Sequence, residues 1–368
     1  MNMQVYNPFK KYNRPITVSG VFSETEVELA NRNSGMPLES LEYDITPIGQ
    51  HYLLSHFDIP HLNRDEHIVS FSGDFSNPYS LSYDEIKLLP AETIPVTLEC
   101  AGNGRTGLDP RSFSAPWKYG AVGTSEWTGT LLRPLLKKAG LKSDVVEISF
   151  TGADRGYDSG HEHNFARSLT LAQVEELDVL LVYQMNGIPL LPQHGAPLRI
   201  IVPGWYGMAS VKWLTEIKAL KKPFDGYQQV GTYRFRQSKE EVGEPITEMR
   251  VKSLIKPPGI PDWTSRKRLV SPGLITLTGR AWSGGGKKIT KVEVLSNNKW
   301  VEAKLINQNS KYSWTKWMLD WSAKPGHHIL SCRATDETGD TQPVDPIFDV
   351  GGFANNSIQK VEVFVNDY

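Results

Sequence analysis

Apolar and polar positions fall into two regimes along this chain. Up to about residue 245, short alternating stretches are interleaved with stretches of helical period; beyond it almost every patterned stretch alternates with period two. Val96 and Leu98 alternate with Thr97 and Glu99, which predicts a half-buried strand running into Cys100. Ser82-x-x-Glu85 is a capping box that opens a short helix closed by Pro90. Leu131, Leu132, Leu135 and Leu136 share one face of a second helix, with Pro134 in its first turn and Gly140 at its stop. Val145 to Phe150 predicts a strand that opens into a polar loop holding Gly152, Asp154, His161 and His163. Thr170 caps a helix over 171–177, and Val179 to Met185 predicts a strand turned by Asn186-Gly187. Two further short strands are predicted at Ile200–Val202 and Val211–Leu214. Residues 1 to about 50 are weakly patterned and read as extended segments wrapping a core, with Pro37 and Pro47 as breaks.

Between Pro223 and Pro261 the pattern is polar and broken. Strands are then predicted over 271–279, 289–295, 300–305, 314–321, 329–335 and 361–365, with turns at Ser283–Lys288 and Asn297-Asn298. Leu330, Cys332 and Ala334 share one face, so Cys332 reads as core. This division predicts an α+β domain over residues 1–245 and an immunoglobulin-like β-sandwich over 246–368.

Composition narrows the function. The 368 residues leave room for two domains, and a net charge of −1 gives no strongly basic face for nucleic acid. No apolar run reaches the length of a membrane span, and the first residues lack the apolar segment of an export signal, which points to the cytoplasm. Two cysteines are too few for a disulfide framework and suit a reducing compartment.

The candidate chemistry centres on Cys100-Ala-Gly-Asn-Gly-Arg105. Small residues let a ligand approach the sulfur, and a thiolate beside a fixed cation is a soft ligand in an anion-attracting pocket. Taken alone, a single cysteine is more often a small buried hydrophobe. Gly102-x-Gly-x-x-Gly107 also fits a dinucleotide fingerprint, but Pro110 and Pro116 leave no helix to receive a pyrophosphate. His161-x-His163 has no third metal ligand nearby and reads as solvated loop, as does Arg32. Taken alone, His56, set in the apolar run 51–60, reads as a satisfied core residue, and Tyr183 as a core strand aromatic.

Read together, several motifs resemble the sulfite oxidase family of molybdenum-cofactor enzymes over roughly residues 45–368. They are the Cys100-Ala-Gly-Asn loop, Trp117 with Gly120, Gly152-Ala-Asp154, Tyr183-Gln-Met-Asn-Gly-x-Pro189, His194-Gly-x-Pro-x-Arg199, Val202-Pro-Gly204, Val211-Lys-Trp213 and Arg280-Ala-Trp-Ser-Gly-Gly-Gly286. The resemblance implies a molybdopterin domain followed by a dimerisation sandwich, hence a homodimer, with molybdenum bound by Cys100. It implies substrate contacts from Tyr183, Arg105, Trp117 and, from the second domain, Lys316. It places Ser55, His56, Asp154, His194, Arg199, Ser210 and Lys212 around the pterin and its phosphate. It implies a small-molecule substrate, sulfite first, and nitrate or a sulfoxide reduced on the same fold as the alternative. Four departures stand out, one being Ala209-Ser210 where the family has Arg-His before Val-Lys-Trp. Gly104-Arg105 replaces the Arg-Arg of animal and plant sulfite oxidases, Leu54 stands in place of an arginine, and Lys316 stands where another arginine is expected. No C-x-x-C-H occurs, so no haem is expected in the chain and electrons leave to an external acceptor such as a cytochrome. A nucleotide-dependent dehydrogenase and a non-catalytic binding protein are the competing classes; absence of nicotinamide binding dismisses the first, and stoichiometric metal argues against the second.

Overall fold

The computed structural model describes residues 17–18, 21–296, 299–306 and 310–366. The first domain is built on two sheets, one antiparallel and one mixed. One contains β3 (Glu92–Glu99), β4 (Val122–Leu131), β7 (Leu180–Met185) and β8 (Arg199–Ile201), with Ile188–Pro189 returning along β7. The other has the order β2 (Tyr79–Ser82), β1 (Ile68–Gly73), β9 (Leu214–Leu220), β5 (Glu147–Asp158), β6 (His161–Thr170), with β1 and β9 parallel.

The helices form where the pattern places them. Ser82 caps α2 (Tyr83–Lys87) and Thr170 caps α4 (Leu171–Glu176), each through a reciprocal capping box. In α3 (Leu132–Ala139) Leu132, Leu135 and Leu136 are buried, and Gly140 ends the helix at φ +70°. The Asn186-Gly187 turn has both residues at positive φ, as the hairpin chemistry requires.

The second domain packs two sheets face to face. The smaller is β10 (Lys252–Ile255), β11 (Gly273–Trp282), β13 (Thr315–Ala323) and Lys304–Leu305. The larger joins Ile260–Pro261, Arg268–Val270, β15 (Val361–Val365), β14 (Gly326–Asp336), β12 (Ile289–Ser296) and Lys299–Glu302. Leu330, Cys332 and Ala334 all lie in the sandwich core. The Asn297-Asn298 turn lies outside the described residues.

Three expectations change. The N-terminal region is not wholly extended: Ser23 and Glu26 form a capping box that opens α1 (Glu24–Asn31), a four-residue signal masked by weak apolar patterning. The polar stretch after Gly152 is no loop, because β5 and β6 continue as a hairpin through His161 and His163. The strand expected at Val211–Leu214 begins only at Leu214, since Trp213 sits at φ +51° and breaks the extended backbone.

The two domains share apolar and polar contacts. Leu254, Trp282 and Trp314 of the sandwich belong to the same buried cluster as Phe71, Ile148 and Ile217. Arg280 on β11 reaches across to donate to Leu41 O at 2.8 Å and to Asp44 Oδ1 at 2.6 Å.

Helix α1 is fastened by one buried ion pair. Arg111 Nη2 donates to Glu26 Oε2 at 3.1 Å, and both side chains are buried. Glu26→Ala leaves a buried guanidinium without its carboxylate. We expect a loss of about 3–5 kcal/mol in urea unfolding, the usual result of breaking one side of a buried pair; a change within about 0.5 kcal/mol, the range of an ordinary surface substitution, would show that the pair does not hold the helix.

Candidate active site

Strand β3 delivers Cys100 into a loop fixed on every side. Cys100 N donates to Ala121 O at 2.9 Å, and Asn103 N closes a turn onto Cys100 O at 2.9 Å. Asn103 Oδ1 accepts from Ala121 N at 3.1 Å. Gly102 has to be small: a Cβ there would meet Arg105 Nη2 at 2.5 Å. Gly104 takes φ +95°, which turns the chain so that Arg105 folds back toward the thiol.

The thiol stands where two cavities meet. An inner cavity of about 70 Å³ and an outer one of about 290 Å³ share Leu54, His56, Cys100 and Tyr233. The inner cavity is lined by His56, Asp154, His194, Arg199, Ser210 and Lys212. Its cations are held by neutral groups. Lys212 Nζ donates to Leu54 O at 2.8 Å, Ser55 Oγ at 3.0 Å and Gln193 O at 3.0 Å. Arg199 donates to His194 O at 2.9 Å and to Ser210 O at 3.0 Å. The backbone irregularities found in the fold aim these groups. The break at Trp213 turns Lys212 inward, and a shift of register between Thr151 and Arg155 places Asp154 at the cavity wall.

Burial outweighs the nearby opposite charges and shifts the titrations. Lys212 is pushed down to about 7 by desolvation and by Arg199, with Asp154 opposing. Desolvation raises Asp154 to about 7 against the pull of Lys212, and its Oδ1 has no hydrogen-bond partner among the described residues. His51 and His56 fall to about 4 and His194 to about 3, all chiefly through desolvation, so these imidazoles are neutral near pH 7.

The outer cavity is walled by Leu29 and Asn33 from α1 and its C-terminal turn, with Ser55, Trp117, Asp158 and Phe353. Arg105 is its deep cation, 4% exposed. Its Nη1 donates to Ala115 O at 2.8 Å and its Nε to Gly351 O at 3.2 Å, while the guanidinium lies over the Phe353 ring. Arg32, expected as a solvated loop residue, ends α1 and lines the outer wall.

All but two of the sequence-derived candidates line these cavities. Tyr183 does not. It is buried in the core of β7 against Tyr83 and borders neither cavity, because it faces the side of the sheet away from Cys100. Lys316 lies on β13 with its ammonium 3.7 Å from Glu42 and likewise borders neither cavity. The tyrosine that the two cavities share, among the described residues, is Tyr233, whose hydroxyl is 2.5 Å from His56 Nε2. The second domain reaches the site through Gly351 and Phe353. Tyr233 sits in the broken stretch after Pro223, where no periodicity marks it. His51 and Tyr52 were also missed as inner-wall residues.

The neutral histidines predict an acid-labile fold. A histidine with a depressed folded value stabilises the fold above pH 6.5, and that stability is lost as pH falls, because the unfolded chain takes the proton first. For His51 the loss is about 3 kcal/mol by pH 4. Urea unfolding of cofactor-free protein from pH 7 to 4 is therefore expected to show a steep fall that is shallower in His51→Gln. Parallel curves for the two proteins would contradict the assignment.

Residues 56–228 match the family described as oxidoreductase molybdopterin binding domain, and residues 243–366 the Mo-co oxidoreductase dimerisation domain. A nitrate reductase [NADH] of Ulva prolifera is 31% identical over 354 residues, covering 87% of this chain and 40% of that protein. The mitochondrial sulfite oxidase of Homo sapiens is 32% identical over 359 residues, covering 91% of this chain and 64% of that protein. This chain thus spans well under two thirds of the nitrate reductase and just under two thirds of the sulfite oxidase. The sulfane dehydrogenase SoxCD of Paracoccus pantotrophus shares the fold, with a TM-score of 0.78 at 24% identity over 95% of this chain and 93% of its own. The chain belongs to the sulfite oxidase family of molybdenum-cofactor oxidoreductases.

Proposed function

We propose that this protein oxidises sulfite to sulfate at a molybdopterin-bound molybdenum ligated by Cys100. One water supplies the oxygen, two protons are released, and two electrons pass to an external acceptor protein. The observation that carries the reading is the place of the thiol, at the junction of a polar inner cavity and an outer cavity with one deep cation. We also read the sandwich as the contact that pairs two copies into a homodimer.

The residues fit the cofactor. Asp154 Oδ1 is a buried acceptor with no partner among the described residues, suited to an N–H of a pterin ring. Lys212 and Arg199 are buried cations whose protein contacts are carbonyls and a hydroxyl, so a phosphate would supply the missing anion. His56, His194, Ser55 and Ser210 would complete that wall. When bound, the group supplies two-electron oxygen-atom transfer.

The chain's own residues do the rest. Burial pushes the Cys100 thiol up, and Arg105 and the Gly102 amide oppose that push. Cys100 would hold the metal as a thiolate, since coordination favours the deprotonated sulfur over the thiol. Arg105 is anchored by two carbonyls and keeps a fixed positive charge beside the sulfur, so it draws an oxyanion toward the site and orients it. Tyr233, held protonated by burial, shares its hydroxyl with neutral His56 at the same junction. Trp117 and Phe353 narrow the outer cavity and exclude water.

One observation favours a second reading. Leu54 lines both cavities, and Gly351 and Phe353 are what the second domain brings near, so the outer cavity gathers less positive charge than a small dianion attracts. A larger, weakly charged oxygen donor such as a sulfoxide, reduced in the opposite direction, fits those walls. Steady-state turnover with sulfite and ferricyanide, against turnover with a sulfoxide and a reduced dye, separates the two.

Cys100→Ser is expected to lower turnover at least about 10³-fold, by analogy with removal of an essential catalytic group, while gel filtration and circular dichroism stay unchanged. Full activity would end the metal-ligand assignment. Leu54→Arg places a second guanidinium at the junction and is expected to tighten sulfate inhibition about tenfold, the effect of one added charge-assisted contact. An unchanged inhibition constant would show that position 54 does not meet the substrate.

A further inference from the structure

The residue before the thiol faces the other domain. Glu99 ends β3, and Lys252 begins β10 of the sandwich; each is 1% exposed. Lys252 Nζ donates to Glu99 Oε1 at 2.8 Å, to Asn103 O at 3.2 Å and to Asn355 O at 2.9 Å. Asn103 Nδ2 donates to the same Glu99 oxygen at 2.9 Å, and Trp282 Nε1 donates to the other at 2.9 Å. An ammonium has three protons, and these contacts use all of them, on the Glu99–Asn103 stretch and on Asn355.

The network ends at the Cys100 loop. Asn103 also accepts from Ala121 N, and Ala121 O accepts from Cys100 N. Three carbonyls of the loop are gripped by donors of the second domain. Ala101 O accepts from Ala354 N at 2.7 Å, Asn103 O from Lys252, and Gly104 O from Asn355 Nδ2 at 2.8 Å. The first domain supplies the thiol, and the second domain holds the backbone that aims it.

We propose that Glu99 and Lys252 are positioning residues for Cys100, a buried ion pair that makes the sandwich part of the catalytic site as well as a dimerisation module. The proposal rests on Cys100 as the molybdenum ligand. The pair touches neither substrate nor cofactor; it acts through Asn103 and the loop. An amide cannot replace the carboxylate without loss. Glu99→Gln turns a donor toward either Trp282 Nε1 or the Lys252–Asn103 side, whichever way the amide lies.

The test uses holoenzyme purified from a molybdenum-replete host and compares wild type, Lys252→Met, the double variant Glu99→Gln/Lys252→Met, and Asp44→Ala. Asp44→Ala is the control, since it weakens the Arg280 contact between the domains without touching the Cys100 loop. Molybdenum per chain, the thiolate-to-metal absorption band, the Mo(V) EPR signal and kcat per bound metal are measured. Lys252→Met is expected to shift band and signal and to lower kcat per metal about 10²-fold, the effect of a reacting group misplaced by about 1 Å, with KM changed less than about threefold on the same argument. The double variant removes the orphaned carboxylate and is expected to regain about tenfold, as coupled partners do. Asp44→Ala is expected to lower thermal stability with spectra and kcat per metal unchanged.

Wild-type spectra and kcat per metal in Lys252→Met would overturn the proposal and reduce the pair to a structural tie. Should Lys252→Met not accumulate as folded protein, the double variant decides. A shifted signal with kcat per metal about tenfold below wild type supports positioning, and wild-type values overturn it. Wild-type protein without molybdenum sinks the Cys100 reading itself, a different result from a loaded enzyme indifferent to Lys252.

Discussion

A buried charge is tolerable only where every donor and acceptor around it is used, and this structure meets that demand at one place above all. The Glu99–Lys252 pair lies between the domains with both side chains sealed from water. Desolvating two ions costs several kcal/mol each, and their attraction offsets this only with good geometry and further hydrogen bonds. Here the further bonds come from Trp282, Asn103 and Asn355, so satisfying the pair requires both domains to be in place. The domain junction and the shape of the Cys100 loop are therefore a single constraint.

The cavities beside that junction are built on the opposite principle. Arg105, Arg199 and Lys212 are buried, yet their donors go to carbonyls and a hydroxyl rather than to carboxylates. Carbonyl dipoles stabilise a cation without neutralising it, so the positive potential stays available to a bound anion. The depressed values at Lys212 and Arg199 and the raised one at Asp154 record the same strain from the proton side. A site of this kind is poorly stabilised by the protein alone and gains from whatever phosphate or oxyanion fills it.

What was legible in the sequence follows from how local each signal is. Capping boxes, the Asn186-Gly187 turn and the alternating strands of the sandwich act over two to eight residues, and the structure carries them where the pattern puts them. The motif residues at the cavities were legible for another reason: the backbone irregularities that aim Asp154 and Lys212 lie inside the motifs themselves. Tyr183 and Lys316 misled because a motif gives a residue's neighbours along the chain but not which face of a sheet it points from. Tyr183 occupies the core face of β7. Tyr233 and Gly351 to Asn355 were illegible, since only tertiary packing brings irregular segments more than a hundred residues from Cys100 onto its loop.

The second domain's role at the site also bears on the choice of substrate. The segment that grips Ala101 and Gly104 passes the outer cavity as Gly351 and Phe353, so it contributes a carbonyl to Arg105 and an aromatic wall, but no cation. A carbonyl and a ring face hold one guanidinium in a fixed plane, which favours directional contact with a single oxyanion face over general attraction. Leu54 on the facing wall offers no charge, and the cavity's other guanidinium, Arg32, is tied to Phe57 O and Asp58 toward the exposed side. On the proposed function, selectivity would depend on how an oxygen-bearing group fits beside Arg105, more than on its total charge. Because Arg105 is anchored through Gly351, that fit is set by the same domain contact that sets the thiol.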